Sequence, residues 1–252
     1  MGSRNFLSHR SIIPLTKRRK NLMRAQRQET VFMVHGLGAN ATTMVPLALA
    51  LEAKGYRVVN KGYPSTRLTI QEAGDWLRDV INSHHQRGRR INLVTHSLGG
   101  VVGRACLKHF PDAGTRMVMI TPPNQGTPAV DAFLRNPLGR AALQIAFGPA
   151  ALQLGTQSEY LQSLGPIPQG CEVGILAADG ALNPLLSGVL RTFDEGHDGI
   201  VPVANMKIEG MKDLRVLPYS HGLIVAYPRT WREVTHFLSD GQFSSVPYSQ
   251  AA

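Results

Sequence analysis

A chain of 252 residues, 43% hydrophobic and 17% charged, suits one domain with a sizeable core and is too apolar for wholesale disorder. No apolar run reaches the roughly 18–20 residues of a membrane span. Two cysteines, Cys106 and Cys171, make no disulfide framework and offer no metal-ligand spacing.

The net charge of +10 is unevenly placed. Residues 1–28 carry Arg4, Arg10, Lys17, Arg18, Arg19, Lys20, Arg24 and Arg27 and no acid, so the remaining chain is close to neutral. This reads as a basic, flexible arm preceding a domain over 29–240, with a loose polar tail over 241–252. The arm suits an anionic membrane surface. Its only aromatic is Phe6, so base stacking is not indicated and nucleic acid is not the expected partner. No apolar stretch of signal-peptide type follows the charges. Phe6 also stands where a myristoylation signal needs Ser or Thr. Location stays open, with the cytoplasm favoured.

Thr30–Val34 is a short apolar run of buried-strand type, ending in His35-Gly36-Leu37-Gly38. Thr42 to Lys54 has helical spacing, stopped by Gly55. Arg57 to Asn60 reads as a strand. Thr69 to His84 reads as a helix with Ile70, Ala73, Leu77, Val80 and Ile81 on one face. A strand from Ile91 runs into Thr95-His96-Ser97-Leu98-Gly99-Gly100, and a helix follows to about Phe110. Arg116 to Thr121 is the next strand. The order β-α-β-α-β-α-β implies a mainly parallel sheet with helices on both faces, and ligands bind at the carboxyl ends of such strands.

Residues 128–170 break the rhythm. They hold no strand pattern but are dense in apolar residues, among them Phe133, Leu134, Leu138, Leu143, Ile145 and Phe147. They read as a small helical cap over the strand ends or, more plainly, as packing helices of the core. Strands resume at Glu172–Ala178 and Leu214–Tyr219, and a closing helix runs from Thr230 to Leu238.

Around Ser97 the change from strand to helix is abrupt. A turn that tight strains the backbone at its tip, projects the tip side chain, and needs small neighbours such as Gly99, Gly100 and Gly103. A serine hydroxyl needs a base, and an imidazole fits near neutral pH. The imidazole in turn needs an acceptor on its other nitrogen. The acids available downstream are Asp179, directly after a strand, and Asp194, Glu195 and Asp198 in the loop that follows. His221, just past the last strand, is the base candidate. His236 sits within the closing helix, and His96 precedes Ser97 on the strand, where alternation turns it away.

Taken together, His35-Gly36-Leu37, Thr95-His96-Ser97-Leu98-Gly99, Asp198-Gly199-Ile200-Val201-Pro202 and His221 resemble the α/β-hydrolase family, in particular its lipases and esterases. The departure is Thr95, where the usual motif has Gly. The resemblance implies an α/β-hydrolase fold and a serine hydrolase cleaving carboxylic esters. It further implies Ser97, Asp198 and His221 as catalytic residues and the amides of Leu37 and Leu98 as oxyanion donors. No cofactor or metal is implied. Phe133, Leu134 and Phe147 are the expected substrate wall for a small-molecule or lipid ester. Asn124 to Thr127 resembles a Pro-x-x-Gly-Thr turn and reads as scaffold. A thioesterase or lipid deacylase would use the same residues. A hydrophobic-ligand-binding protein without catalysis is the alternative of another class.

Overall fold

The computed structural model describes residues 29–84, 89–110, 114–181 and 196–245. The basic arm, most of the tail and the acid candidates Asp194 and Glu195 lie outside them. Six strands form one sheet: β1 Thr30–Val34, β2 Arg57–Asn60, β3 Asn92–His96, β4 Arg116–Ile120, β5 Glu172–Ala178 and β6 Asp213–Leu217. The order is β2-β1-β3-β4-β5-β6, and every pair is parallel.

Strand alternation divides the core in two. Phe32, Val34, Leu93, Met117, Met119 and Ile175 face one side, whereas Val31, Met33, Val94, Val118, Ile120 and Leu176 face the other. The first layer is closed by α2 Ile70–His84 and α3 Leu98–Leu107, the second by α1 Val45–Ala53 and α9 Pro228–Asp240. The chain steps from β1 outward to β2, then back across β1 to β3 and onward in that direction. Right-handed crossovers then put α1 on one face and α2 and α3 on the other.

Local signals set the helix starts. Pro46 has no N–H to give back to an earlier turn, so a 3-10 turn at Ala41–Met44 precedes α1 in place of one continuous helix from Thr42. Before α2, Thr69 and Glu72 form a reciprocal cap: the Thr69 amide donates to Glu72 Oε2 at 2.7 Å, and the Glu72 amide to Thr69 Oγ1 at 3.2 Å.

Between β4 and β5 lie α4 Pro128–Leu134, α5 Pro137–Phe147, α6 Pro149–Leu152 and α7 Glu159–Ser163. The first three begin on proline, whose missing N–H is harmless there. The side chains of Thr127, Asn136 and Ser158 cap α4, α5 and α7. Gly148, at φ +78°, lets this segment press on the 64–67 loop: a Cβ there would stand 1.7 Å from the Thr66 carbonyl oxygen. Gln153 Oε1 also accepts from the Ile70 amide at 2.8 Å. A short α8, Val203–Met206, follows the 196–202 loop.

Residues 241–245 correct the expectation of a loose tail. Gly241, at φ +72°, turns the chain back. Phe243 then packs against Phe237, their rings 5.0 Å apart and tilted by 41°, and the Ser244 amide donates to the buried Glu233. An apolar ring and a buried carboxylate together hold what composition alone reads as polar.

Candidate active site

Register places the site. Val34 pairs with Thr95, so the residues that leave β1 and β3 emerge side by side. A Cβ on Gly36 would stand 3.0 Å from Ser97 Cβ. Ser97 has φ 54° and ψ −126°, a conformation few side chains tolerate. Its amide donates to the Ile120 carbonyl at 2.8 Å, and its carbonyl accepts from the Gly100 amide at 2.8 Å.

The glycines of the turn are sterically required. A Cβ on Gly99 would lie 2.3 Å from the Val34 carbonyl oxygen, and one on Gly100 2.8 Å from Pro122 Cβ. Gly103 makes room for Met117 Cε, which lies 2.4 Å from where a Cβ would stand, while Thr95 Cγ2 is in ordinary contact range at 3.5 Å. Thr95 is fully buried, and its Oγ1 reaches the Val118 carbonyl at 3.4 Å.

His221 follows β6 and sits 8% exposed. Its Nε2 is 2.8 Å from Ser97 Oγ, and its Nδ1 is 2.6 Å from Asp198 Oδ2. Asp198 is 1% exposed, and its Oδ1 accepts from the amides of Ile200 and Val201 at 2.9 and 2.8 Å. Its carboxylate is thus fixed by the loop before it meets the imidazole. The His221 amide closes the same loop on the Asp198 carbonyl at 3.0 Å. Asp179, by contrast, is exposed after β5. A hydroxyl, an imidazole and a carboxylate joined in this way let the ring take a proton from Ser97 while the carboxylate holds its tautomer.

Leu37 borders the same space as Ser97. Leu98 opens α3, where the first N–H groups have no intrahelical partner. Among the described residues, neither the Leu98 nor the Leu37 amide donates to a protein acceptor. His35 shapes the second of these loops. The Tyr63 amide donates to its Nε2 at 3.2 Å, so Nδ1 carries the proton and donates to the Gly36 carbonyl at 2.9 Å. The Tyr63 hydroxyl donates to the His35 carbonyl at 3.1 Å, and the rings of His35, Tyr63 and Trp76 stack in sequence. Burial holds the His35 imidazole below its ordinary pKa.

Ser97, His221, Gly36 and Leu37 open on a cavity of about 370 Å³ walled by Phe133, Leu143, Phe147, Leu154, Val201 and Val225. Of that wall, Phe133 comes from α4, and Leu143 and Phe147 come from α5. The 123–127 turn ties it to its neighbours. The Thr127 amide donates to the Leu154 carbonyl at 2.8 Å, the Thr127 hydroxyl donates to the Ile200 carbonyl, and Asn124 Nδ2 donates to the Met206 carbonyl at 2.7 Å. From beneath, the buried Arg104 donates to the carbonyls of Asn124 and Gly165, both at 2.9 Å. Burial lowers its pKa to about 10. Among the described residues no cluster of His, Cys, Asp or Glu is placed to hold a metal ion.

The family model described as "Alpha/beta hydrolase family" matches residues 31–238. The chain belongs to the alpha/beta hydrolase family. No curated protein matches its sequence. Its fold is similar to that of the mature form of a Bacillus licheniformis lipase, at 20% identity and a TM-score of 0.64, over 78% of this chain and 86% of the lipase. It is also similar to a metagenomic carboxyl esterase at 20% identity and TM-score 0.65, over 78% of this chain and 65% of the esterase. A phospholipase from Legionella pneumophila gives 16% identity and TM-score 0.62, over 82% of this chain and 57% of the phospholipase. At these identities the likeness concerns the fold. The chain spans less than two thirds of the last two proteins.

Two expectations about this hydrolase need correction. Phe133 and Phe147 line the cavity, but Leu134 does not. Adjacent helical residues point about 100° apart, so a Phe133 turned to the cavity sends Leu134 elsewhere, against Gly155. His96 is the second. Strand alternation turns it away from Ser97, yet it lines the same cavity and its Nε2 lies 2.9 Å from the His221 carbonyl oxygen. The positive φ of Ser97 breaks the alternation at that step. Burial first, and the adjacent His221 second, push the His96 pKa down to about 4. His236 lies on α9, its Nδ1 2.8 Å from the Gln242 carbonyl oxygen, apart from these groups.

Proposed function

We propose that this hydrolase cleaves carboxylic esters through an acyl-enzyme on Ser97. The observation that carries the reading is the hydrogen-bonded relay Ser97–His221–Asp198 opening on an apolar cavity. In acylation, Ser97 Oγ bonds to the ester carbonyl carbon while His221 Nε2 takes the hydroxyl proton. The amides of Leu37 and Leu98 receive the developing oxyanion. The carbon–oxygen bond to the alcohol then breaks, and His221 returns the proton to the leaving alkoxide. In deacylation, water attacks the acyl carbon, His221 takes its proton, and the acid leaves as Ser97 regains its hydrogen. Asp198 keeps His221 in the required tautomer throughout.

The wall of Phe133, Leu143, Phe147 and Leu154 suits the acyl side of a hydrophobic ester, and α4 to α6 act as its cap. The likeness to solved structures described as a lipase and a carboxyl esterase supports this choice within the family. The test is release of p-nitrophenol from p-nitrophenyl esters of increasing acyl length by the protein and by Ser97→Ala. Burying each added CH₂ contributes about 0.8 kcal/mol, so kcat/KM should rise close to fourfold per carbon until the cavity is filled. Ser97→Ala should lose at least about 10³-fold. Equal rates in the two proteins would remove the assignment. Acyl-CoA thioesters run in parallel distinguish a thioesterase built on the same residues.

A further inference from the structure

Resting on that reading, we propose that His96 is a positioning residue. Its ring ties the loop that carries the base to the loop that carries the first oxyanion donor. His96 ends β3, is 7% exposed, and takes no part in the relay. Its Nε2 lies 2.9 Å from the main-chain oxygen of His221. A carbonyl only accepts, so Nε2 carries the proton and Nδ1 keeps a bare lone pair.

The partner is the main chain of the base itself. All four polar atoms of His221 are therefore held: N by Asp198, O by His96, Nδ1 by Asp198 and Nε2 by Ser97. The two main-chain bonds set where the imidazole stands, and the two ring bonds carry its chemistry. Because His96 directly precedes Ser97, its bond fixes the base relative to the nucleophile across 125 residues of chain.

The other edge of the His96 ring meets the oxyanion loop. A Cβ on Gly36 would stand 3.3 Å from His96 Nδ1. The two imidazoles lie 5.2 Å apart, tilted by 44°. A charged His96 would oppose the imidazolium that His221 becomes during reaction, and burial keeps His96 neutral. His96 thus offers a neutral donor to one loop and a contact surface to the other.

The test compares the protein, Ser97→Ala, His96→Leu and His96→Gln with a fluorophosphonate probe. Labelling forms a Ser97 Oγ–P bond and breaks P–F; fluoride leaves and His221 takes the hydroxyl proton. Intact-mass time courses over a range of probe concentrations give kinact and KI separately. Leu removes the donor at similar bulk, whereas Gln keeps an N–H near the Nε2 position. A base displaced by a fraction of an ångström should slow kinact in His96→Leu about tenfold to hundredfold and leave KI within about twofold. Gln should restore kinact to within about threefold of the unmodified protein, an outcome that loss of packing alone does not give. Should His96→Leu fail to fold, His96→Asn, too short to reach the His221 carbonyl, replaces it with the same expectation.

Unchanged kinact in His96→Leu, or equal loss in the Leu and Gln variants, overturns this role alone. A protein whose Ser97 is not labelled at all overturns the hydrolase reading, and this role with it.

Discussion

At the residue scale, two carboxylates near the carboxyl edge of the sheet stand in opposite surroundings. Asp198 is buried and accepts from two amides and the His221 ring, whereas Asp179 is exposed. Asp198→Asn should keep the fold and lower kcat by about 10³–10⁴-fold, because the imidazole then settles in the wrong tautomer. Asp179→Asn should leave kcat within about twofold. Steady-state kinetics on one ester decide between them, and the reverse pattern would move the acid to Asp179. Ser97 and His221 were legible because each follows an apolar run and a turn, whereas Asp198, twenty residues past β5, was legible only through the resemblance of its Asp-Gly-Ile-Val-Pro loop to the family's. The place of His96 was not. Alternation along a strand is a sound rule until a residue with positive φ ends it, and sequence does not display φ.

At the scale of elements, the elbow and the helices over the cavity differ in how openly they are written. Prolines at the starts of α4, α5 and α6, with Thr127 and Asn136 as caps, make those helices readable. Which face looks inward depends on where each helix rests, so Phe133 and Leu134 are interchangeable in composition but not in place. Phe147→Ala should lower kcat/KM for the longest acyl chains about tenfold and leave acetyl esters within about twofold. Leu134→Ala should cost stability without changing that profile. Chain-length series for both variants test the difference. In the elbow, Gly99→Ala would drive a methyl to within 2.3 Å of the Val34 carbonyl oxygen. The strain should cost about 1–3 kcal/mol, read as a melting point lower by about 2–10 °C.

For the whole molecule, the alternation of strands and helices foretold a parallel sheet but not its order. The insertion of β1 between β2 and β3 is what brings Gly36 beside Ser97. That adjacency follows from crossover handedness and from register, neither of which a local pattern contains. Burial of neutral imidazoles also gives the fold a pH dependence. An unfolded histidine takes a proton near pH 6.5, whereas folded His96 does so only near 4, and His35 is lowered in the same direction. The unfolded state therefore binds more protons within this window. The contribution is complete above pH 6.5 and declines as pH falls towards 4, by up to about 3 kcal/mol for His96. Urea midpoints should fall over that range, and His96→Gln should flatten the slope; a slope that is unchanged would place the sensitivity elsewhere.

The most direct measurement is the mass of the protein quenched in acid milliseconds after mixing with p-nitrophenyl butyrate, followed by mapping of any adduct. The expected result is one butyryl group on the peptide that carries Ser97, formed with a burst of p-nitrophenol and absent in Ser97→Ala. Turnover without an adduct, or an adduct on another residue that persists in Ser97→Ala, would contradict the acyl-enzyme at Ser97.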